Sequence, residues 1–294
     1  MGLPCSRFTT KLKHVSTASN IRSAVDSGSD AAGPSVSLQR LTARSVLLSV
    51  LLGTDGAWLP TPLLLSTTAL FGIADGTSRT ALSRMSAAGE VEATGRGYRI
   101  VSGDLLARQH RQATGRSGER RTWDGSWRQV IVGVGERRSA GDRAATRTAL
   151  GTARFGELRE GVWLRPDNLA PSEAVEPWAD SPDTLSATVA RIDGDDAELA
   201  TRLWDLDGWA GQAAGLIGDM TPMTRRLERG DAEALAESFM INAAVLRLLA
   251  ADPLLPDRLA PTRWPGHRLR DDYERFDAAF RHVITEHFAR HADR

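Results

Sequence analysis

Arg79, Thr80, Ser83 and Arg84 stand at the spacing that gathers polar side chains along one side of a helix. Residues set 100° apart place Arg79, Thr80, Ser83 and Ala87 on one face with Arg84 at its edge. Leu82, Met85, Ala81 and Ala88 fall on the opposite face. Short hydroxyls and guanidinium groups on one helix face suit one chemistry: donating hydrogen bonds to base edges in a major groove and to the phosphates beside it. Thr77 and Ser78, in the first turn, complete this candidate DNA-binding set. A second pair, Arg96 and Arg99, lies in VEATGRGYRIV (91–101), where it suits contact with phosphate or a minor groove. A solvated amphipathic helix carries the same pattern, so the elements around these residues must decide.

Those elements fall in a telling order. LTARSVLLSVLLG (41–53) is a helix with an apolar stripe, stopped by Gly53. GTDGAWLP reads as a turn. Pro60 and Pro62 suit the first turn of a second helix, LPTPLLLSTTALFG, which Gly72 closes. The third helix is DGTSRTALSRMSAAG (75–89). After it, Val91 and Ala93, then Tyr98 and Ile100, alternate around Gly95-Arg96-Gly97 as a small hairpin. Two helices, a glycine turn, a polar-faced helix and a hairpin make a winged helix-turn-helix.

Other chemistries find no footing. The chain has one cysteine, Cys5, which excludes an internal disulfide and a thiolate zinc cluster and suits a reducing cytoplasm. There is no nucleophile elbow, phosphate loop or dinucleotide fingerprint, so neither an enzyme nor a cofactor is expected. His267, His282 and His287 make no convincing metal-ligand set, because the last two, five apart, do not share a helix face. No apolar run is expected to reach the ~18–20 residues of a membrane span. Net charge is zero but unevenly spread: residues 38–121 carry 11 Arg against 6 Asp/Glu, and 122–294 carry 22 Arg against 29 Asp/Glu. A basic front on an acidic back points to a polyanionic partner for the front alone.

Several stretches together resemble the phenylacetic acid degradation repressor family, the PaaX-like regulators. GIADGTSRTALSRM (72–85) is similar to its turn-helix. WDGSW (123–127), RFGELREGVWLRP (154–166), WDL (204–206) and DPLLPDRLAPTRWPG (252–266) match further segments in order, over about residues 38 to 288. The resemblance implies a transcriptional regulator, usually a repressor, that binds a partly palindromic operator as a homodimer. It also implies release by a small-molecule inducer of the aryl-acyl coenzyme A class. The reading role carries over to Arg79, Ser83 and Arg84, and the wing role to Arg96 and Arg99.

The expected fold class is α+β and multidomain. A tail rich in small residues (1–36) precedes the winged helix-turn-helix (37–103) and a basic linker (104–121). Residues 122–195 read as a ferredoxin-like central domain: a strand at 127–136, a helix at 140–156, a strand pair or bent strand at 157–166, a second helical stretch and a strand at 185–192. In the family this domain resembles a CRISPR spacer-acquisition nuclease. The rival function is therefore a metal-dependent nuclease, with Asp124 as a ligand. Asp193, Asp195 and Asp196 read more simply as a polar turn.

Residues 196–294 read as a mainly helical domain, with helices from Trp204 to about Ile217, over 231–250 and over 271–291. Leu235, Phe239, Asn242, Val245, Leu246 and Leu249 line one stripe, and Tyr273, Phe276, Phe280, Val283, Ile284, His287 and Phe288 another. Core packing is the favoured role for both. Between them, Arg258, Arg263, Trp264, His267 and Arg268 form a candidate ligand site: a basic rim beside an aromatic ring suits coenzyme A phosphates. Pairing of those arginines with nearby carboxylates is the open alternative.

Overall fold

The computed structural model describes residues 42–103, 105–106, 121–133, 139–169 and 184–291. The expected tail, most of the basic linker and the second helical stretch of the central region lie outside these residues. The described chain is α+β, and its compact units are two. One draws on residues up to 113 together with 215–246 and 269–294; the other comprises 114–214 and 247–268.

In the first unit, α1 (Ala43–Leu52) opens on a reciprocal cap. Thr42 accepts from the Ser45 backbone and Ser45 returns the bond to Thr42. α2 (Thr61–Leu70) begins after Pro60 and carries Pro62 in its first turn, where a missing N–H costs nothing. Gly72, at φ 69°, turns the chain into α3 (Asp75–Ala87). Val46, Leu47, Leu48, Leu51, Leu64, Leu82 and Met85 are essentially sealed from solvent and form the shared core of these helices. Beyond Gly89, β2 (Val91–Thr94) and β3 (Gly97–Ile100) pair antiparallel around the two-residue turn Gly95-Arg96.

The segment read as a turn contains a strand, β1 (Trp58–Pro60), which adds to β3. Three residues are too few to show periodicity. What holds the strand is non-local: Trp58 Nε1 donates to Thr94 Oγ1 at 2.8 Å, and β1 pairs residue by residue with β3. The approach is so close that a Cβ on Gly97 would stand 2.2 Å from the Leu59 carbonyl oxygen.

In the second unit, β4 (Trp127–Val132), α4 (Ala140–Thr152), the hairpin β5 (Gly156–Arg159) and β6 (Val162–Pro166), and β7 (Thr184–Ala190) build an antiparallel sheet of order β5-β6-β4-β7. Successive strand residues point to opposite faces. Accordingly Val130 and Trp163 pack with Leu150 and Phe155 on one side. Trp127 and Leu164 pack with Leu199 and Leu203 of α5 (Asp196–Leu203) on the other. β4 ends at Val132, short of the expected 136, and residues 134–138 lie outside the description.

Three longer helices follow. α6 (Leu206–Glu228) outruns the expected end near Ile217 and passes through Pro222. Its buried stripe simply continues: Leu216, Met220, Met223 and Leu227 keep helical spacing. α7 (Leu235–Ala251) and α8 (Gly266–His291) bury every residue of the two predicted stripes. Ala232–Ala251 is in fact long and apolar enough, at mean hydropathy 1.5, to cross a membrane, which corrects the expectation of no such run. Two thirds of it, 67%, is buried inside the fold, as befits a core helix.

Candidate nucleic-acid interface

The outward face of α3 follows from its inward one. Ser78, Leu82 and Met85, at i, i+4 and i+7, are buried. Thr77, Arg79, Thr80, Ser83 and Arg84 are exposed on the remaining surface. The Asp75 carboxylate sits in the first turn, where it complements the helix dipole. Among the described residues neither Arg79 nor Arg84 has a hydrogen-bond or ion-pair partner, so both guanidinium groups can donate to an outside acceptor. Thr80 Oγ1 donates to the Gly76 carbonyl at 2.8 Å, which leaves its lone pairs outward.

Ser78 does not share that face. It is fully buried and its hydroxyl donates to Thr68 Oγ1 at 2.7 Å, while Thr68 donates to the Leu65 carbonyl at 2.9 Å. Its chemistry is to seat α3 on α2. The sequence carried a usable signal, since Ser78 lies on the Leu82 and Met85 side of the wheel.

Arg96 is exposed at the hairpin tip, and its carbonyl accepts from the Thr61 N–H at 2.9 Å, tying the tip to the start of α2. Arg99 is exposed on β3, directly opposite Glu92 on β2 and Trp58 on β1. Arg44 holds the assembly from behind. Its Nε donates to Glu90 Oε2 at 3.0 Å and its Nη2 to Glu90 Oε1, so one fork joins α1 to the residue just ahead of β2. This clamp, 46 residues apart in sequence, left no local signal.

The proposed ligand residues have mixed fates. Trp264 stacks on Trp209, centroids 4.5 Å apart and planes at 18°, and Trp209 Nε1 donates to the Leu248 carbonyl at 3.0 Å. The Arg258 guanidinium lies 5.4 Å over the Trp123 ring. Trp123 is buried, whereas Trp264 is half-buried and Arg258 is exposed. Arg263, in a left-handed conformation at φ 65°, and Arg268 are exposed, and His267 Nε2 stands 3.9 Å from Asp257 in an exposed pair.

Three carboxylates of the rival reading, Asp124, Asp195 and Asp196, have partners within the fold. Asp124 Oδ1 accepts from both the backbone and the hydroxyl of Ser126, which holds its carboxyl below its ordinary range, with Arg191 adding to the effect. Asp195 caps α5 by accepting from Ala197 and Glu198, and Asp196 accepts from Trp127 Nε1 at 2.7 Å. Among the described residues no three His, Cys, Asp or Glu gather as metal ligands.

Three family models match the chain in succession: PaaX-like protein over residues 42–102, the PaaX protein central Cas2-like domain over 120–191, and the PaaX-like protein C-terminal domain over 204–290. An uncharacterized protein from Mycobacterium tuberculosis, Rv0674, is similar in solved structure. It is 41% identical, with a TM-score of 0.67, over 84% of this chain and 98% of its own. No curated protein matches the chain.

Proposed function

The chain belongs to the PaaX-like family, whose members are transcriptional regulators, and from that premise we propose that it is a DNA-binding repressor. One observation carries the proposal: α3 presents Arg79, Thr80, Ser83 and Arg84 outward, its arginines without partners among the described residues, beside a hairpin bearing Arg96 and Arg99. Three helices followed by β2 and β3 support reading this segment as a winged helix-turn-helix, with α3 in a major groove and the hairpin as wing. The β-α-β-β succession and the strand order of the central sheet support the ferredoxin-like reading. There the domain serves assembly rather than cleavage, since likeness of fold does not transfer chemistry.

The regulator acts in the cytoplasm as a homodimer. The family resemblance points to an inducer of the acyl coenzyme A class, which shifts the population of a conformation that mismatches the operator half-sites. The test compares binding to the DNA upstream of its own gene with random DNA at fixed salt. Selective binding that Arg79→Ala and Arg84→Ala abolish supports the proposal. Equal affinity for both DNAs at every salt concentration would remove the operator reading.

A further inference from the structure

The outward side of α3 is basic and hydroxylic with one exception. Asp75 opens the helix, is exposed, and is the only acidic residue of Asp75–Ala87. The carboxylates that follow the helix face basic groups: Glu90 is bound by Arg44, and Glu92 stands opposite Arg99 across the hairpin. Asp75 has no hydrogen-bond or ion-pair partner among the described residues, and Arg79, one turn along where an i,i+4 pair could form, does not take it. A carboxylate in the first turn complements the helix dipole from any side. This one lies on the flank that carries Arg79 and Ser83, since steps of four residues advance only about 40° around the helix. Gly76 beside it has no positive φ and open space where a Cβ would stand, so nothing inside the fold calls for a glycine there. Its bare Cα leaves room for a close approach from outside.

We propose that Asp75 is a specificity-determining residue, whose carboxylate accepts a hydrogen bond from the amino group of a cytosine in the major groove. The inference rests on the operator reading of α3 and deepens it. The N-terminal residues of a recognition helix are those that meet base edges. An ionised carboxylate can only accept, so it suits an edge that presents an amino group, and carboxylates pair with cytosine N4. The amino group of adenine stands beside the N7 acceptor, which suits an amide instead. Against a sequence without that donor, the carboxylate is stripped of water and left unpaired among phosphates. The same group therefore penalises wrong sites as well as favouring the right one. Asp75 and Arg79 are separated by about 6 Å along the helix axis, so the cytosine lies within about two base pairs of a base read by Arg79.

The test is selection of duplexes from a random-sequence DNA pool, at fixed salt, by the full chain and by its Asp75→Ala, Asp75→Asn and Arg79→Ala variants. The native protein enriches a motif holding a cytosine that Asp75→Ala no longer selects, while the other positions keep their preference. Asp75→Asn turns that position toward adenine, the base an amide pairs with bidentately. On the motif selected by the native protein, Asp75→Ala binds about tenfold or more weakly. On duplex of unselected sequence it binds no more weakly than the native protein, because a charge repelled by phosphate has gone. A motif identical for the native protein and Asp75→Ala overturns the proposal, and a lowered melting temperature with it would leave Asp75 the dipole role alone. Loss in Asp75→Ala of the same base that Arg79→Ala loses would make Asp75 a support for that guanidinium, and overturns the proposal too. The two readings fail distinguishably. A native chain that enriches no motif sinks the operator reading and this one with it, whereas an enriched motif indifferent to Asp75→Ala sinks this one alone.

Discussion

The imidazole Nε2 of His287, near the end of α8, lies 3.1 Å from the hydroxyl of Ser66 on α2. Ser66 directs its own proton to the Leu63 carbonyl at 3.1 Å, so the assignment that satisfies both bonds makes the ring nitrogen the donor. Phe71, at the end of α2, meets Phe239 of α7 edge to face at 5.2 Å. Thr68, between them, receives the Ser78 hydroxyl of α3. Thus α2 is held by two C-terminal helices on one hand and holds α3 on the other.

His287→Phe keeps the volume and loses the bond. It is expected to cost about 0.5–1.5 kcal/mol of stability by denaturant titration. It should also weaken operator binding although His287 is buried at 5% exposure and lies off the proposed DNA face. Unchanged affinity would mean that α8 does not set the position of α2 for binding.

Arg79→Ala is expected to lose about 1–3 kcal/mol of specific binding if the guanidinium reads a base, with the loss varying among operator variants. A loss uniform across sequences would reassign Arg79 to phosphate. Ser78→Ala separates seating from reading. Losing its bond to Thr68 costs about 0.5–1.5 kcal/mol of stability and leaves base preference unchanged.

Arg96→Ala should reduce the slope of log affinity against log salt by about one unit, the signature of a single lost phosphate contact. A slope equal to that of the native protein would take the hairpin tip out of the interface.

Gly97→Ala places a Cβ against the Leu59 backbone oxygen, which has no flexible end to yield. Overpacking of this kind costs about 1–3 kcal/mol. The variant is therefore expected to melt earlier and to bind DNA with the hairpin displaced from β1.

Acid should loosen the first unit. Asp231 is held below its ordinary value of 3.8 by a hydrogen bond from Arg226 at 2.7 Å, and Glu228 below 4.5 by Arg275 at 2.7 Å. A lowered carboxyl contributes stability that is present above its unfolded value and is lost as pH falls through the folded one. The melting temperature should therefore decline below about pH 4, and less steeply in Asp231→Asn. Identical acid profiles for the two proteins would show that the pair carries no pH dependence.

Some of this molecule is written in local pattern. The stripes of α1, α3, α7 and α8 recur every three or four residues, and Gly53, Gly72 and the Gly95-Arg96 turn punctuate them. Helix formation and turn conformation depend on neighbours a few positions away, so residue order alone determined these elements and the outward face of Arg79, Ser83 and Arg84. The family's motifs were legible for the same reason.

Only the tertiary structure decided the rest. Trp58–Pro60 becomes a strand because β3 lies beside it, not because three residues prefer to extend. Ser78 looked like a contact residue by type, and the neighbouring Thr68 made it a fastener. Trp264, in a basic loop, stacks on Trp209, and Asp196 accepts from the indole of Trp127. Each outcome depends on a partner ten to 69 residues distant. Such partners are selected by the close packing of the whole core, and no short window of sequence contains that information.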